Sequence, residues 1–146
     1  MVGEAFPPLR NTKDFGPFFA QIKATAPKAV FAFFAGGQAI QFVKQYDQFG
    51  LKESVQLTGA GWLTSPLYVH AQGTAAEGIL GILNYVPGID SPENHAFQAA
   101  YQAEYGRVAS EFAVQGYDTA RLIVEALKIA PSDQIETLKE QLDQLE

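Results

Sequence analysis

Cysteine is absent from the 146 residues, so the chain can form no disulfide, offers no thiol nucleophile and cannot ligate zinc through sulfur. That absence leaves the redox compartment open, because an exported domain of this size can fold without bridges. Histidine is nearly absent too. His70 and His95 stand far apart in polar, loop-like surroundings, and neither has a metal-ligand spacing with Asp or Glu. Basic charge is scarce: Lys and Arg number 10 against 16 Asp and Glu, for a net charge of −6. Such a surface repels phosphate backbones and argues against nucleic acid as a partner. No apolar run approaches the roughly 18–20 residues of a membrane-spanning helix. Met1 is followed by neither the basic nor the apolar region of a secretory leader.

What the chain does have is apolar material. Hydrophobic residues make up 47% and aromatics 12%, with eleven Phe and six Tyr. This is ample for a dense core and excludes a disordered or low-complexity segment. The length suits one ordinary domain or a piece of something larger. Val2-Gly3-Glu4-Ala5-Phe6 reads like the tail of a strand, and Leu145-Glu146 falls inside a helical pattern. Both ends therefore predict a piece excised from a longer chain.

Short apolar runs alternate with helix-period segments. Asp14 is placed to cap a helix whose apolar stripe is Phe15, Phe18, Phe19, Ile22 and Ala26, ended by Pro27. Ala29 to Phe34 is apolar at every position, which predicts a strand covered on both faces. A second helix carries Ile40, Val43 and Tyr46, with Gly50 at its C-terminal cap. Val55 to Thr58 reads as a short strand left by the loop Gly59-Ala60-Gly61-Trp62, and Ile79 to Tyr85 as the next strand, closed by Pro87-Gly88. Strands separated by helices predict right-handed βαβ units and a parallel sheet.

The second half changes character. Pro92 opens a helix with Phe97, Ala100, Tyr101 and Glu104, ended by Gly106. Another is expected from Glu111 to Ile129 with Ala113, Tyr117, Ala120, Val124 and Leu127 inward. After Pro131 a last helix aligns Ile135, Leu138, Leu142 and Leu145. The fold class is α/β.

Catalytic groupings are scarce. Ser65, Ser91, Ser110 and Ser132 sit at turns or helix starts, where capping accounts for them, and no Gly-x-Ser-x-Gly elbow occurs. Glu136, Glu140 and Asp143 line the polar face of the last helix. The sequence predicts no enzyme, no catalytic residue, no metal and no cofactor. A nucleotide-dependent enzyme built on Gly36-Gly37 lacks both the dinucleotide fingerprint and the P-loop. Two loops do have the shape of a binding site. Ala35-Gly36-Gly37 follows a strand and opens a helix, where free N–H groups and the helix dipole favour an anion. Gly59-Ala60-Gly61-Trp62 holds the same position after the next strand. The glycines either make a tight turn or admit a ligand to the backbone. Trp62 is either a hydrophobic plug or a platform for an apolar or aromatic ligand.

An ordered set of segments carries a family resemblance. It runs through Thr12-Lys13-Asp14-Phe15, Ile22-Lys23-Ala24, Phe33 to Gln45, Phe49-Gly50-Leu51-Lys52, Ala75-Ala76-Glu77-Gly78 and Asn94-His95-Ala96-Phe97. It continues through Ala100-Tyr101, Tyr105-Gly106-Arg107 and Ala113 to Ala120. From about residue 3 to about residue 129 the chain resembles the branched-chain amino acid type of periplasmic solute-binding protein of ABC transporters. The resemblance implies a three-layer parallel-sheet lobe of the type I periplasmic binding fold, incomplete and with extra C-terminal helices. Residues 1–81 would belong to the second ligand-binding lobe, 82–89 to a hinge crossover containing Tyr85 and Pro87, and 90–146 to helices packing on a first lobe. It implies a periplasmic receptor that closes on a small carboxylate and delivers it to an ABC permease, or a sensing domain of the same fold. The ligand contacts it implies are Ala35, Gly36, Gly37, Ala60, Gly61 and Trp62. In the family the first of these loops often adds an aromatic side chain, which is missing here. Amino-acid binders commonly place an acid in the second, where this chain has Ala60. That departure counts against an α-amino acid and for a carboxylate without the amine. Helices from Asp90 onward are expected to expose an apolar face and to drive self-association or helix exchange.

Overall fold

A parallel three-stranded sheet organises the first half of the chain in the computed structural model, which describes residues 1–8, 11–130 and 132–144. Strands β1 (Ala29–Ala32), β2 (Gln56–Ala60) and β3 (Leu80–Ile82) lie in sequence order. Val30 pairs with Leu57, and Thr58 with both Phe31 and Leu80. Helix α1 (Gly16–Thr25) precedes β1, and α2 (Gly36–Gln48) joins β1 to β2. A 3-10 turn (Gly61–Thr64), the short helix α3 (Val69–Gln72) and a second 3-10 turn (Gly73–Ala76) lead from β2 to β3 and pack against α2. These short pieces have no period long enough to read from sequence. They were missed there.

Aromatic packing places the helices on one face of the sheet. Phe15, Phe19, Phe34, Phe42 and Tyr46 are buried together with Leu51, Leu57 and Leu63. Phe15 meets the rings of Phe34 and Phe42 edge-on at 5.2 Å, and Phe19 meets Phe42 and Tyr46 in the same manner. Each such pair contributes about 0.5–1.5 kcal/mol beyond simple burial. Burial pushes the Tyr46 hydroxyl up to about 12, and this group donates to the carbonyl of Val55 at 3.1 Å. The expected cap on α1 is displaced by one residue. Phe15 occupies the cap position, and the Asp14 carboxylate accepts the Gly16 N–H at 2.8 Å.

The opposite face of the sheet corrects the reading of β1 as covered on both sides. Ala32 and Phe34 are buried, but Phe31 and Phe33 are 71% and 57% exposed, and Leu80 and Ile82 of β3 are exposed as well. Alternation along a strand sends neighbouring residues to opposite faces. A run apolar on both faces therefore says that both need covering, and only one is covered among the described residues. Gly59 corrects a second point. With Ala60 it belongs to β2 rather than to a loop, paired with Ala32 of β1, and a side chain on it would run into the Ala32 carbonyl.

The chain divides into two compact units, Met1–Asn84 and Tyr85–Glu146. The second contains α4 (Pro92–Tyr105), α5 (Glu111–Ile129) and α6 (Ile135–Leu142). Ser91 and Ser110 cap the first two, accepting the N–H groups of Asn94 and Ala113. Phe97 meets Tyr85 edge-on and lies tilted against Tyr117. The inward stripe expected on α5 is not buried: Tyr117, Val124 and Leu127 are about half-exposed, and Ala126 is the buried apolar residue instead. The expected roles of Pro131 and Leu145 fall outside the described residues.

This division of faces predicts opposite outcomes for two phenylalanines. Phe19→Ala should cost about 3–5 kcal/mol by emptying the aromatic cluster. Phe31→Ser should change stability by no more than about 0.5 kcal/mol, as for an exposed position. Urea unfolding followed by far-ultraviolet circular dichroism measures both.

Candidate functional site

Parallel strands point their carboxyl ends the same way, so β1 and β2 bring the two glycine-containing loops to one edge of the sheet. Ala35 is the extended residue that caps α2, and its carbonyl begins the helical ladder by accepting the Ala39 N–H. Gly36 follows in the left-handed region with φ of 57°, a conformation that disfavours any side chain. Gly37 is exposed, and a Cβ there would meet no atom within 4 Å. The first loop is therefore open on its outer side, with the free N–H groups of a thirteen-residue helix beside it.

The second loop is tighter than its composition suggests. Ala60 is the last residue of β2, opposite Ile82 of β3. Gly61 is buried, and a Cβ on it would collide with Leu83 Cβ and lie 2.8 Å from the carbonyl of Ile82. Gly61 thus serves close packing between the ends of β2 and β3. Trp62 is half-buried in the 3-10 turn, and its carbonyl accepts the Tyr68 hydroxyl.

The structure also adds a residue that sequence reasoning missed. Phe33 lies just before the first loop, and its ring meets Trp62 edge-on, at 5.9 Å between centroids and 81° between planes. The first loop has no aromatic residue of its own, but the strand end beside it supplies one. Its signal in the sequence is the unbroken apolar run Ala29 to Phe34, which does not distinguish a core position from a ring at the sheet edge. Among the described residues, Trp62 Nε1 and Gln38 Nε2 are shielded from water with no hydrogen-bond partner. Both are N–H donors. No Asp or Glu occurs in 33–39 or 59–64.

Other candidate groups lie elsewhere. A cavity of about 230 Å3 opens near the amino end of β2, lined by Tyr46, Lys52, Gln56, Glu77 and Ile79 among others. It is smaller than the roughly 300–1,000 Å3 usual for ligand sites. His95 lies 3.4 Å from the exposed Asp90, and no cluster of three metal-ligating side chains occurs among the described residues. Tyr85 is buried in the second unit, where its hydroxyl donates to Asn94 Oδ1 at 2.6 Å; the Pro87 carbonyl accepts from Asn94 Nδ2 at 3.0 Å.

The glycines make a testable distinction. Gly61→Ala should destabilise the fold by about 1–3 kcal/mol through overpacking. Gly37→Ala should be tolerated to within about 0.5 kcal/mol. Thermal unfolding of the two variants checks the contrast.

The family model for periplasmic binding proteins matches residues 1–146. No curated protein matches. Among solved structures, an ABC transporter substrate-binding protein from Sphaerobacter thermophilus is 33% identical with a TM-score of 0.86, over 93% of this chain and 38% of that one. A solute-binding protein of an ABC transporter from R. palustris, solved with benzoate, is 34% identical with a TM-score of 0.74, over 92% of this chain and 36% of that one. A leucine-binding protein from Thermotoga maritima shares the fold at 21% identity and a TM-score of 0.77, over 90% of this chain and 37% of that one. The chain thus spans little more than a third of the length of these relatives. Its sheet and flanking helices form an incomplete lobe of their fold, and the chain belongs to the periplasmic binding protein family.

Proposed function

We propose that this chain is part of a periplasmic receptor of an ABC transporter, and that its share of the ligand site takes an aromatic carboxylate. The observation that carries the reading is the Phe33–Trp62 pair at the carboxyl ends of β1 and β2, set beside loops that contain no acid. Its chemistry is binding without reaction: ligand capture, closure around it and delivery to a permease.

Charge decides between the two ligand classes of the relatives. An α-amino acid brings an ammonium, and burying that group without a counter-charge costs several kcal/mol. Neither loop supplies a carboxylate. The polar groups available at this edge are the N–H donors of the α2 N-terminus, with Gln38 and Trp62 nearby in sequence. Donors suit a carboxylate or a phenolic oxygen. The aromatic pair then contributes about 25 cal/mol for each Å2 of ring it removes from water. The benzoate bound by the R. palustris relative is of this class.

In a receptor carrying this segment at full two-lobed length, benzoate and hydroxybenzoates should raise the melting temperature more than leucine, isoleucine or valine. Trp62→Ala should weaken benzoate binding by about tenfold, the loss expected from roughly 55 Å2 of apolar contact. A thermal-shift screen followed by calorimetry measures both. Stabilisation by the branched-chain amino acids alone would overturn the reading.

A further inference from the structure

The uncovered face of the sheet has the chemistry of an interior. Alternation along the strands puts Ala29 and Phe31 of β1, Gln56, Thr58 and Ala60 of β2, and Leu80 and Ile82 of β3 on it. The register sets Phe31, Thr58 and Leu80 in one row and Ala60 beside Ile82. No strand position on this face is charged, although the chain carries a net charge of −6. Phe31, Leu80 and Ile82 are 71%, 63% and 88% exposed. At about 200 Å2 for a large side chain, they present on the order of 450 Å2 of apolar surface, a patch of the size that marks contact sites. The two polar side chains of the face have already spent their donors on the protein. Thr58 Oγ1 donates to the Leu80 carbonyl at 2.8 Å, and Gln56 Nε2 donates to the carbonyls of Leu57 at 2.8 Å and Gly78 at 2.9 Å. Covering this face therefore strips water from no free side-chain donor. Phe33, beyond the end of β1, meets Trp62 instead.

We propose that this face is an interface between two copies of this chain, packed sheet on sheet about a two-fold axis. Charge, area and shape each favour a second copy as the occupant. A face without charge gives a charged partner nothing to select, and it is where two chains of net charge −6 can meet without opposing like charges in contact. With Ala29, Gln56, Thr58 and Ala60 included, two copies would bury on the order of 1,200 Å2, the lower end of specific interfaces. A two-fold axis parallel to β2 sets β1 of each copy over β3 of the other. Phe31 of each copy then lies on Leu80 and Ile82 of its partner, and the small Thr58 falls at the axis. Aligned sheets pack in this manner about 10 Å apart. An interface of this area gives a dissociation constant of about 10–100 μM. The chain is therefore monomeric at low micromolar concentration, where Phe31 behaves as an exposed residue. Nothing in the inference depends on the ligand class.

Sedimentation equilibrium of this chain from about 1 μM to about 1 mM, the range that reads such a constant, tests the proposal without any ligand. The wild type should pass from monomer to dimer. Phe31→Glu and Ile82→Lys should each raise the dissociation constant more than about 30-fold, because each buries an unpaired charge. Mixed in equal amounts, the two variants should associate again, since the two-fold sets the new acid of one opposite the new amine of the other. Val124→Lys, at an exposed position of α5, should leave the constant unchanged within about twofold. A wild type that stays monomeric throughout overturns the proposal and leaves the face to another segment or partner. Loss of the dimer in Val124→Lys but not in the face variants overturns it as well, and a mixture that does not associate contradicts the two-fold arrangement. Circular dichroism checks that each variant folds. Should neither face variant fold, amide shifts of the wild type on concentration decide. They should fall on Phe31, Thr58, Leu80 and Ile82, and shifts confined to α4, α5 and α6 would contradict the proposal.

Discussion

The edge-to-face cluster of Phe15, Phe19, Phe34, Phe42 and Tyr46 is the constraint on which the first unit depends. It binds α1 and α2 to the same face of the sheet, and three consequences follow. The opposite face is left with Phe31, Phe33, Leu80 and Ile82 exposed. Helix α2 has to start at the carboxyl end of β1, so its N-terminus opens beside the end of β2. Phe33 is turned away from the core and meets Trp62. The candidate site, with its two rings and helix-end donors, is thus a by-product of how the core is packed.

Close approach is the second theme. Gly59 and Gly61 bracket Ala60, and each is the only kind of residue that fits its place. One lies against the carbonyl of Ala32, the other against Leu83. Each lets the neighbouring backbone approach where a side chain would block it. Gly36 and Gly37 serve differently, since nothing within 4 Å would obstruct a Cβ at either. The first loop is open and the second is packed. On the proposed reading, ligand selectivity comes from what the loops lack as much as from what they contain. Ala60 offers no charge to an ammonium, while the N–H groups at the start of α2 remain available to an anion.

Much of this was legible in the sequence. The order of strands and helices, the cap residues Ser91 and Ser110, and the limits of α4 and α5 follow from period and capping chemistry. Four features were not legible, each for a physical reason. The segment from Gly61 to Ala76 folds into single turns too short to show a period. Gly59 reads as a breaker in one dimension, and only the neighbouring strand reveals it as a close contact. The run Ala29 to Phe34 reports two apolar faces without saying which of them is covered, and this concealed Phe33. The α5 stripe misled in a similar way, because its apolar period gives the direction of a face and not its partner.

The measurement closest to the central claim uses a property of the chain itself: Trp62 is its single tryptophan. One indole N–H signal in a proton–nitrogen correlation spectrum therefore reports on the proposed site without ambiguity. Adding millimolar benzoate, on the order of the weak affinities in reach of such spectra, should shift the Trp62 indole together with the Gly36 and Gly37 amides. Leucine at the same concentration should leave all three in place. Shifts with leucine and none with benzoate would contradict the account, as would benzoate shifts confined to residues remote from these two loops.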